Sequence, residues 1–286
     1  MPITLSNRGL SRAGVTAALV LSSLTLVVDA HAADAPAQLT VTAADFSFAG
    51  VPASIKGGLT MITLKNTGKS PHDLQLLKID GVHTDAEAAA VTNSPDGAPI
   101  PAWIHGAGGV GTVAPGKSSS ATLNLDAGTY VYVSTESDEE KKTSDAKSGM
   151  VGRFTVKGTK SAASLSAPAT IASKEYGFDV TGLKAGANTV LFKNSGKQLH
   201  HVVIAKIRTG KTIADVKASF SSNDQSGPPP VDFATVRSAA VVDPGVGEVI
   251  GLNLPAGSYA FICFISDRAD GPPHFTKGML QEVVVK

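Results

Sequence analysis

The feature that most constrains this chain of 286 residues is a pattern written twice. Leu64-Lys-Asn66-Thr-Gly68-Lys69-Ser-Pro-His72 is matched without a gap by Phe192-Lys-Asn194-Ser-Gly196-Lys197-Gln-Leu-His200. Val113-Ala-Pro115-Gly116 is matched by Val242-Asp-Pro244-Gly245, Gly128-Thr-Tyr130 by Gly257-Ser-Tyr259, and Gly149-Met150 by Gly278-Met279. Asp45-Phe-Ser-Phe48 and Glu175-Tyr-Gly-Phe178 are the corresponding early strands. Self-similarity on this scale means two copies of one folding unit, each of roughly 120 residues, the size of a single sandwich. The expected division is residues 38–157 for the first unit, a small and polar linker at 158–168, and residues 169–286 for the second.

Within each copy, short apolar segments alternate with Asn-x-Gly, Pro-Gly and Gly-x-Tyr turns, the signature of an antiparallel β-sandwich. One short helix interrupts each copy. The second is expected from Ile213 to Phe220 with Thr212 as N-cap, because Ile213, Val216 and Phe220 share a face. The first begins at Thr84, with Asp85 and Glu87 at its positive end. Strand side chains reverse direction at each residue, so His72, Leu74 and Leu76 face the core while Asp73 and Gln75 face away. Carried to the second copy, the rule turns His200, Val202 and Ile204 inward and puts His201 in the outward position of Asp73.

Residues 1–32 read as a secretory signal peptide. Arg8 and Arg12 precede an apolar run from Ala13 to Val28, and Ala30-His31-Ala32 is a small-residue cleavage site. The run is short of the roughly 20 residues that span a bilayer. A periplasmic or secreted protein, soluble and without a membrane span after cleavage, is the expectation. With 25 basic against 24 acidic side chains there is no polyanion-binding footprint, which argues against nucleic acid as a partner.

An exported chain with a single Cys is unusual, because oxidising compartments favour pairing. Cys263 is that residue, which leaves it as a buried inert thiol, an intermolecular bridge, a reactive nucleophile or a metal ligand. Ser258 to Ile262 is rich in aromatic and β-branched residues, a strand that delivers Cys263 to its end. A polar, Pro-rich loop then leads to His274 and Met279, and the last strand closes the chain. A thiolate, imidazoles and a weak thioether are together the ligand set of a blue-copper site.

Phe192-Lys-Asn194 through His200, the Gly257-x-Tyr259-x-x-x-Cys263 strand, and His274-x-x-x-x-Met279 resemble the plastocyanin and azurin family of cupredoxins. The resemblance spans the whole second copy and the scaffold of the first. It implies an all-β chain of two tandem cupredoxin-like Greek-key β-sandwiches, with one type 1 copper ion in the second. It assigns His200, Cys263 and His274 as equatorial ligands and Met279 as the axial one. The ten residues between Cys263 and His274 exceed the short plastocyanin spacing and approach that of copper nitrite reductases, and His201 stands where plastocyanins usually carry Asn. In the first copy the Cys position is Ser134 and the second His position is Asp145, so that copy, with His72 and Met150 alone, is degenerate and metal-free. His274 is expected on an exposed loop with Pro272, Pro273 and Phe275 as an apolar rim, and the run from Glu136 to Lys142 as a solvated charged loop.

The resemblance implies single-electron transfer between redox partners, one of them an unidentified redox protein. A copper carrier or buffer without redox cycling is the alternative. No enzymatic activity is expected: Ile262 precedes Cys263 where copper oxidases and reductases place a His, and the chain has no His-x-His pair for a second copper centre.

Overall fold

Strands dominate the chain, and their order follows the repeat. The computed structural model describes residues 35–286 apart from 96, 139–142 and 222–226; the signal-peptide expectation for 1–32 lies outside the described residues. The first copy folds as β1 (Ala37–Ala44), β2 (Ser47–Ala49), β3 (Ser54–Lys56), β4 (Gly58–Asn66), β5 (His72–Ile79), α1 (Asp85–Thr92), β6 (Ile104–Val113), β7 (Ser118–Leu125), β8 (Gly128–Val133), β9 (Ser137–Asp138), β10 (Thr143–Ser144) and β11 (Val151–Lys157). The second follows as β12 (Ala169–Lys174), β13 (Gly177–Thr181), β14 (Gly186–Asn194), β15 (His200–Ile207), α2 (Ile213–Ser221), β16 (Val231–Val242), β17 (Gly247–Leu254), β18 (Gly257–Ile262), α3 (His274–Lys277) and β19 (Leu280–Val285).

These strands form a β-sandwich, with each large sheet running through both copies. One sheet has the order β13-β12-β14-β17-β7-β4-β1-β2, the other β19-β18-β15-β16-β6-β5-β8-β11-β3. The copies join where β17 pairs with β7 (Val249 opposite Thr122) and where β16 pairs with β6 (Val242 opposite Ala107). Pairing is not wholly antiparallel as expected. β1 lies parallel to β4, β12 to β14, and β3 to β11, because each is reached by crossing over the sandwich rather than by a hairpin.

The repeated Asn-x-Gly turn explains why both copies start β5 and β15 alike. Asn66 Nδ2 donates to Ser70 O and Val113 O while its Oδ1 accepts from Gly68 N. Asn194 does the same with Gln198 O, Val242 O and Gly196 N. A buried amide that satisfies several backbone groups fixes the turn, and so the direction in which the following His enters the sandwich. The tyrosines repeat as well, Tyr130 bonding Asp126 O and Tyr259 bonding Pro255 O.

Both helices begin where expected. Thr84 and Glu87 cap α1 reciprocally, and Thr212 with Asp215 does so for α2. The core runs between the sheets, with Leu64, Leu76, Ile171, Phe192, Ile204 and Phe261 among its fully buried members. Each such side chain contributes about 1.5–3 kcal/mol over its exposed state.

The outward face of β5 departs from expectation: Asp73 and Gln75 are buried there too. Asp73 is covered by Ser134 and Thr135 of its own copy, and Gln75 by the neighbouring copy. Gln75 Oε1 accepts from Val241 N across the joint, and its Nε2 donates to Val241 O and Gly108 O. Glu248, fully buried beside it, accepts from Gly109 N of the first copy and Ala240 N of the second. Burial pushes its carboxyl up to about 8.

Candidate metal centre

β15 opens with His200 and β18 ends just before Cys263, and the two strands are neighbours in one sheet, with Val203 opposite Ile262. Thiol and imidazole therefore meet at the same end of the sandwich. Beyond Cys263 the chain loops out and returns: His274 N donates to Ile265 O, Phe275 N to Cys263 O, and Cys263 N to Met279 O. His274 starts the single turn of α3, and Gly278 ends it at φ 132°, a conformation that favours glycine. A Cβ at Gly278 would also stand 2.9 Å from Tyr176 O. This reversal brings Met279 N back to His274 O and seats Met279 in the core beside Cys263.

The expectation that His274 lies on an exposed loop is corrected. Its side chain is fully buried, because α3 folds the ring back under the loop against Tyr176 and His200. Phe264 and Phe275 are partly buried and pack on each other and on Phe220 of α2.

His200, Cys263 and His274 converge and are fully buried, as is Met279. The sulfur lies 3.9 Å from His200 Nδ1 and 3.6 Å from His274 Nδ1, and the two Nδ1 atoms are 3.2 Å apart. A trigonal metal with bonds of about 2.0 Å to nitrogen and about 2.3 Å to sulfur needs edges of about 3.5–3.8 Å. The triangle is close to that size.

The far sides of both imidazoles are anchored. His200 Nε2 faces Glu175 Oε1 at 3.2 Å, and that oxygen also accepts from Lys197 N and Gln198 N. His274 Nε2 faces Asp267 Oδ1 at 2.9 Å, and Asp267 is held in turn by Tyr176 OH and Lys277 Nζ. A carboxylate on Nε2 keeps the proton there and leaves Nδ1 as a lone-pair donor, the arrangement of metal-ligating histidines. Two Nδ1 lone pairs and a thiol thus face one point in a dry pocket. A cation between them is what reconciles these donors.

The electrostatics agree. Burial, with the neighbouring His274, pushes His200 down to about 4, and burial lowers His274 against the pull of Asp267. Both rings are neutral at neutral pH, as ligation requires. Burial pushes the Cys263 thiol up to about 12, opposed by the backbone N–H groups of His201 and Ile265. Without a cation that sulfur keeps its proton; those N–H groups are placed to support the thiolate when one binds. The donor set is that of a type 1 copper site, soft sulfur with two imidazoles.

His201 points the other way. Its Nε2 accepts from Phe264 N at 2.9 Å, so the ring braces the strand end that carries Cys263. Burial pushes it down to about 4, consistent with a neutral acceptor.

Ser134 and Asp145 occupy the equivalent places in the first copy, and hydrogen bonds close the triangle. His72 Nδ1 meets Asp145 Oδ2 at 2.6 Å, and Ser134 Oγ donates to the same oxygen at 2.7 Å. Asp45 takes the part of Glu175, accepting from Lys69 N and Ser70 N and facing His72 Nε2. Asp73, where the second copy has His201, accepts from Thr135 N and Thr135 Oγ1 and lies 2.9 Å from Ser134 Oγ, and burial raises its pKa. Glu136 does not belong to a solvated loop as expected. It accepts from Thr112 Oγ1, and burial, with Asp73 nearby, pushes it up to about 7; 139–142, the rest of that run up to Lys142, lies outside the described residues.

Sequence reasoning missed the two anchoring carboxylates. Glu175 had a signal in its match to Asp45, whereas Asp267 sits on the long loop without a counterpart. Elsewhere, His83 stacks on Trp103 with ring centroids 3.8 Å apart, and His105 bridges Asp80 and Asp243.

No family model and no curated protein matches the chain. Solved structures do match it. Auracyanin A, a blue copper protein from Chloroflexus aurantiacus, is 19% identical, with a TM-score of 0.31, over 43% of this chain and 100% of its own. A multicopper oxidase is 16% identical, with a TM-score of 0.25, over 87% of this chain and 88% of its own. A copper nitrite reductase from Nitrosomonas europaea is 14% identical, with a TM-score of 0.26, over 88% of this chain and 94% of its own. The blue copper match covers part of the chain and the other two cover most of it. The expectation that the chain is not an enzyme is therefore corrected: the structures that span most of it are, by name, an oxidase and a reductase. Among the described residues no helix is long and apolar enough to cross a membrane.

Proposed function

We propose that this chain is an exported type 1 copper protein that transfers single electrons between redox partners. His200, Cys263 and His274 would hold one copper ion, with Met279 as the weak axial ligand. The observation that carries the reading is the buried triangle of two Nδ1 atoms and one Sγ, each imidazole fixed from behind by a carboxylate. Copper bound there supplies one-electron redox chemistry.

The chain's own residues supply rigidity and dryness. β15 and β18 fix His200 and Cys263 at adjacent strand ends, and the short turn of α3 ties His274 and Met279 to Cys263 by backbone hydrogen bonds. Glu175 and Asp267 keep the rings from rotating. Phe261 and the buried core around Met279 exclude water from one side, and the Phe264, Phe275 and Phe220 cluster does so from another. A site whose ligands cannot move costs little reorganisation when its charge changes.

In the same reading residues 1–32 are a signal peptide that sends the chain to the periplasm or outside the cell. Residues 38–157 form a degenerate cupredoxin-like domain, 158–168 a linker, and 169–286 the copper-binding domain. A redox protein docks near Pro272 and Phe275.

The test is the visible spectrum of the chain loaded with Cu(II). An intense thiolate-to-copper charge-transfer band, absent in Cys263→Ser, is expected. A colourless protein that retains only Cu(I) would favour a copper carrier or buffer over an electron carrier.

A further inference from the structure

The ten residues between Cys263 and His274 carry no strand, and their middle lies at the joint between the copies. Long loops leave their ends poorly fixed unless some residue ties them down. Arg268, at the centre of the span, is tied to the other copy through Pro101, Ile104 and Ile100 and to its own through Asp243 and Gln198. Its guanidinium donates through Nη1 to Pro101 O at 2.8 Å and Ile104 O at 3.0 Å, and through Nη2 to Asp243 Oδ1 at 2.9 Å. Its backbone O accepts from Ile100 N at 2.8 Å, and its N donates to Gln198 Oε1 at 2.8 Å. The backbones of Gly97 and Gly271 come so close that a Cβ on Gly97 would lie 2.7 Å from Gly271 O.

The acceptor at the joint is itself fixed. Asp243 Oδ2 meets His105 Nδ1 at 2.7 Å, and His105 Nε2 meets Asp80 Oδ2 at 2.9 Å. Asp243 N also donates to Gly106 O of the first copy. With only 13% of the Asp243 side chain exposed, its pair with Arg268 is poorly screened by solvent. Directly before Arg268 stands Asp267, whose carboxylate holds His274 Nε2.

We infer that Arg268 is a positioning residue through which the first copy clamps the ligand loop of the second and so sets the placement of Asp267 and His274. The first copy thereby acts as the wall on which the loop is fastened. Nη1 serves the two carbonyls and Nη2 the carboxylate of Asp243, which suits a planar fork and not the single ammonium of Lys. The clamp itself stands on the hydrogen bonds above; its effect on copper rests on the function proposed for the His200, Cys263 and His274 centre.

The experiment compares the full chain with Arg268→Ala and Arg268→Lys. In copper-free protein, amide hydrogen exchange across residues 265–275 should accelerate at least about tenfold, with β4 and β7 unchanged. In copper-loaded protein, both variants should move the charge-transfer band and the reduction potential, and the exposed control Lys193→Ala should move neither. Unchanged loop exchange, acceleration spread evenly over the chain, or an unmoved band and potential each overturns the inference. If the unaltered chain shows no band at all, the copper reading fails and the exchange measurement alone decides the clamp.

Discussion

At the end of the second copy, two imidazoles and a thiol face one point with their far sides held by Glu175 and Asp267. At the matching end of the first copy, His72 sits in the same turn, behind the same Asn-x-Gly amide, with Asp45 in the role of Glu175. There Asp145 and Ser134 point inward, and His72, Asp145 and Ser134 satisfy one another directly. The two ends teach that the frame and its contents are separable. The frame orients one His; whether the remaining corners form a ligand set or a closed hydrogen-bond network depends on two side chains. A carboxylate and a hydroxyl complement an imidazole, whereas a thiol and a second neutral imidazole are the donor types that ligate a soft cation.

The most drastic way to break the contrast is to write the first copy's residues into the second. Cys263→Ser with His274→Asp should abolish the visible copper band entirely while the chain still folds, checked by absorbance and thermal melting. The converse transplant sharpens it. Ser134→Cys, Asp145→His and Asp73→His together should raise copper content from about one to about two ions per chain, measured by metal analysis, because the frame around His72 already exists.

Smaller effects probe the supports. Asp267→Asn should weaken copper binding by about 10–100-fold, read by competition with a chelator, since the ring it orients loses a charged partner. Asp145→Asn should destabilise the fold by about 3 kcal/mol in urea unfolding and leave the copper band untouched, as it breaks a buried pair far from Cys263.

A last effect concerns pH. Burial raises Glu136 from 4.5 to about 7 and Glu248 from 4.5 to about 8. For acids whose folded pKa is raised, the stability they lend is complete below the unfolded value and lost as pH climbs through the folded one. The part of the unfolding free energy that these two carboxyls supply should therefore fall between about pH 4.5 and about pH 8, opposed below about pH 6.5 by the lowered His200 and His201. Glu136→Gln should gain stability relative to the unaltered chain as pH rises from about 4.5 to about 7.

The β-sandwich and both helix starts were legible in the linear pattern, and the resemblance to cupredoxins implied that His200, Cys263 and His274 meet, as they do. Strand alternation, capping residues and turn chemistry are local, so they leave a periodic trace that a repeat doubles. The inward direction of His200 followed in this way from the cleaner alternation of Leu74 and Leu76. The burial of Gln75 did not, because the other copy covers its side chain, nor did that of Asp73, which Ser134 and Thr135 close over; a polar residue facing a neighbour looks in sequence like one facing water. His274 misled for a similar reason: a Pro-rich, polar stretch reads as exposed, yet α3 folds its first residue inward.

The sequence by itself determined the repeat, the β class, the turns that start β5 and β15, and the identity of the inward-facing soft donors. Only the tertiary structure decided that two sheets run through both copies, that Glu175 and Asp267 stand behind the imidazoles, and that Arg268 fastens the ligand loop across the joint. Periodicity records which side of a strand is apolar. Contacts between side chains brought together from separate turns and loops carry no period, and they exist only once the chain has closed on itself.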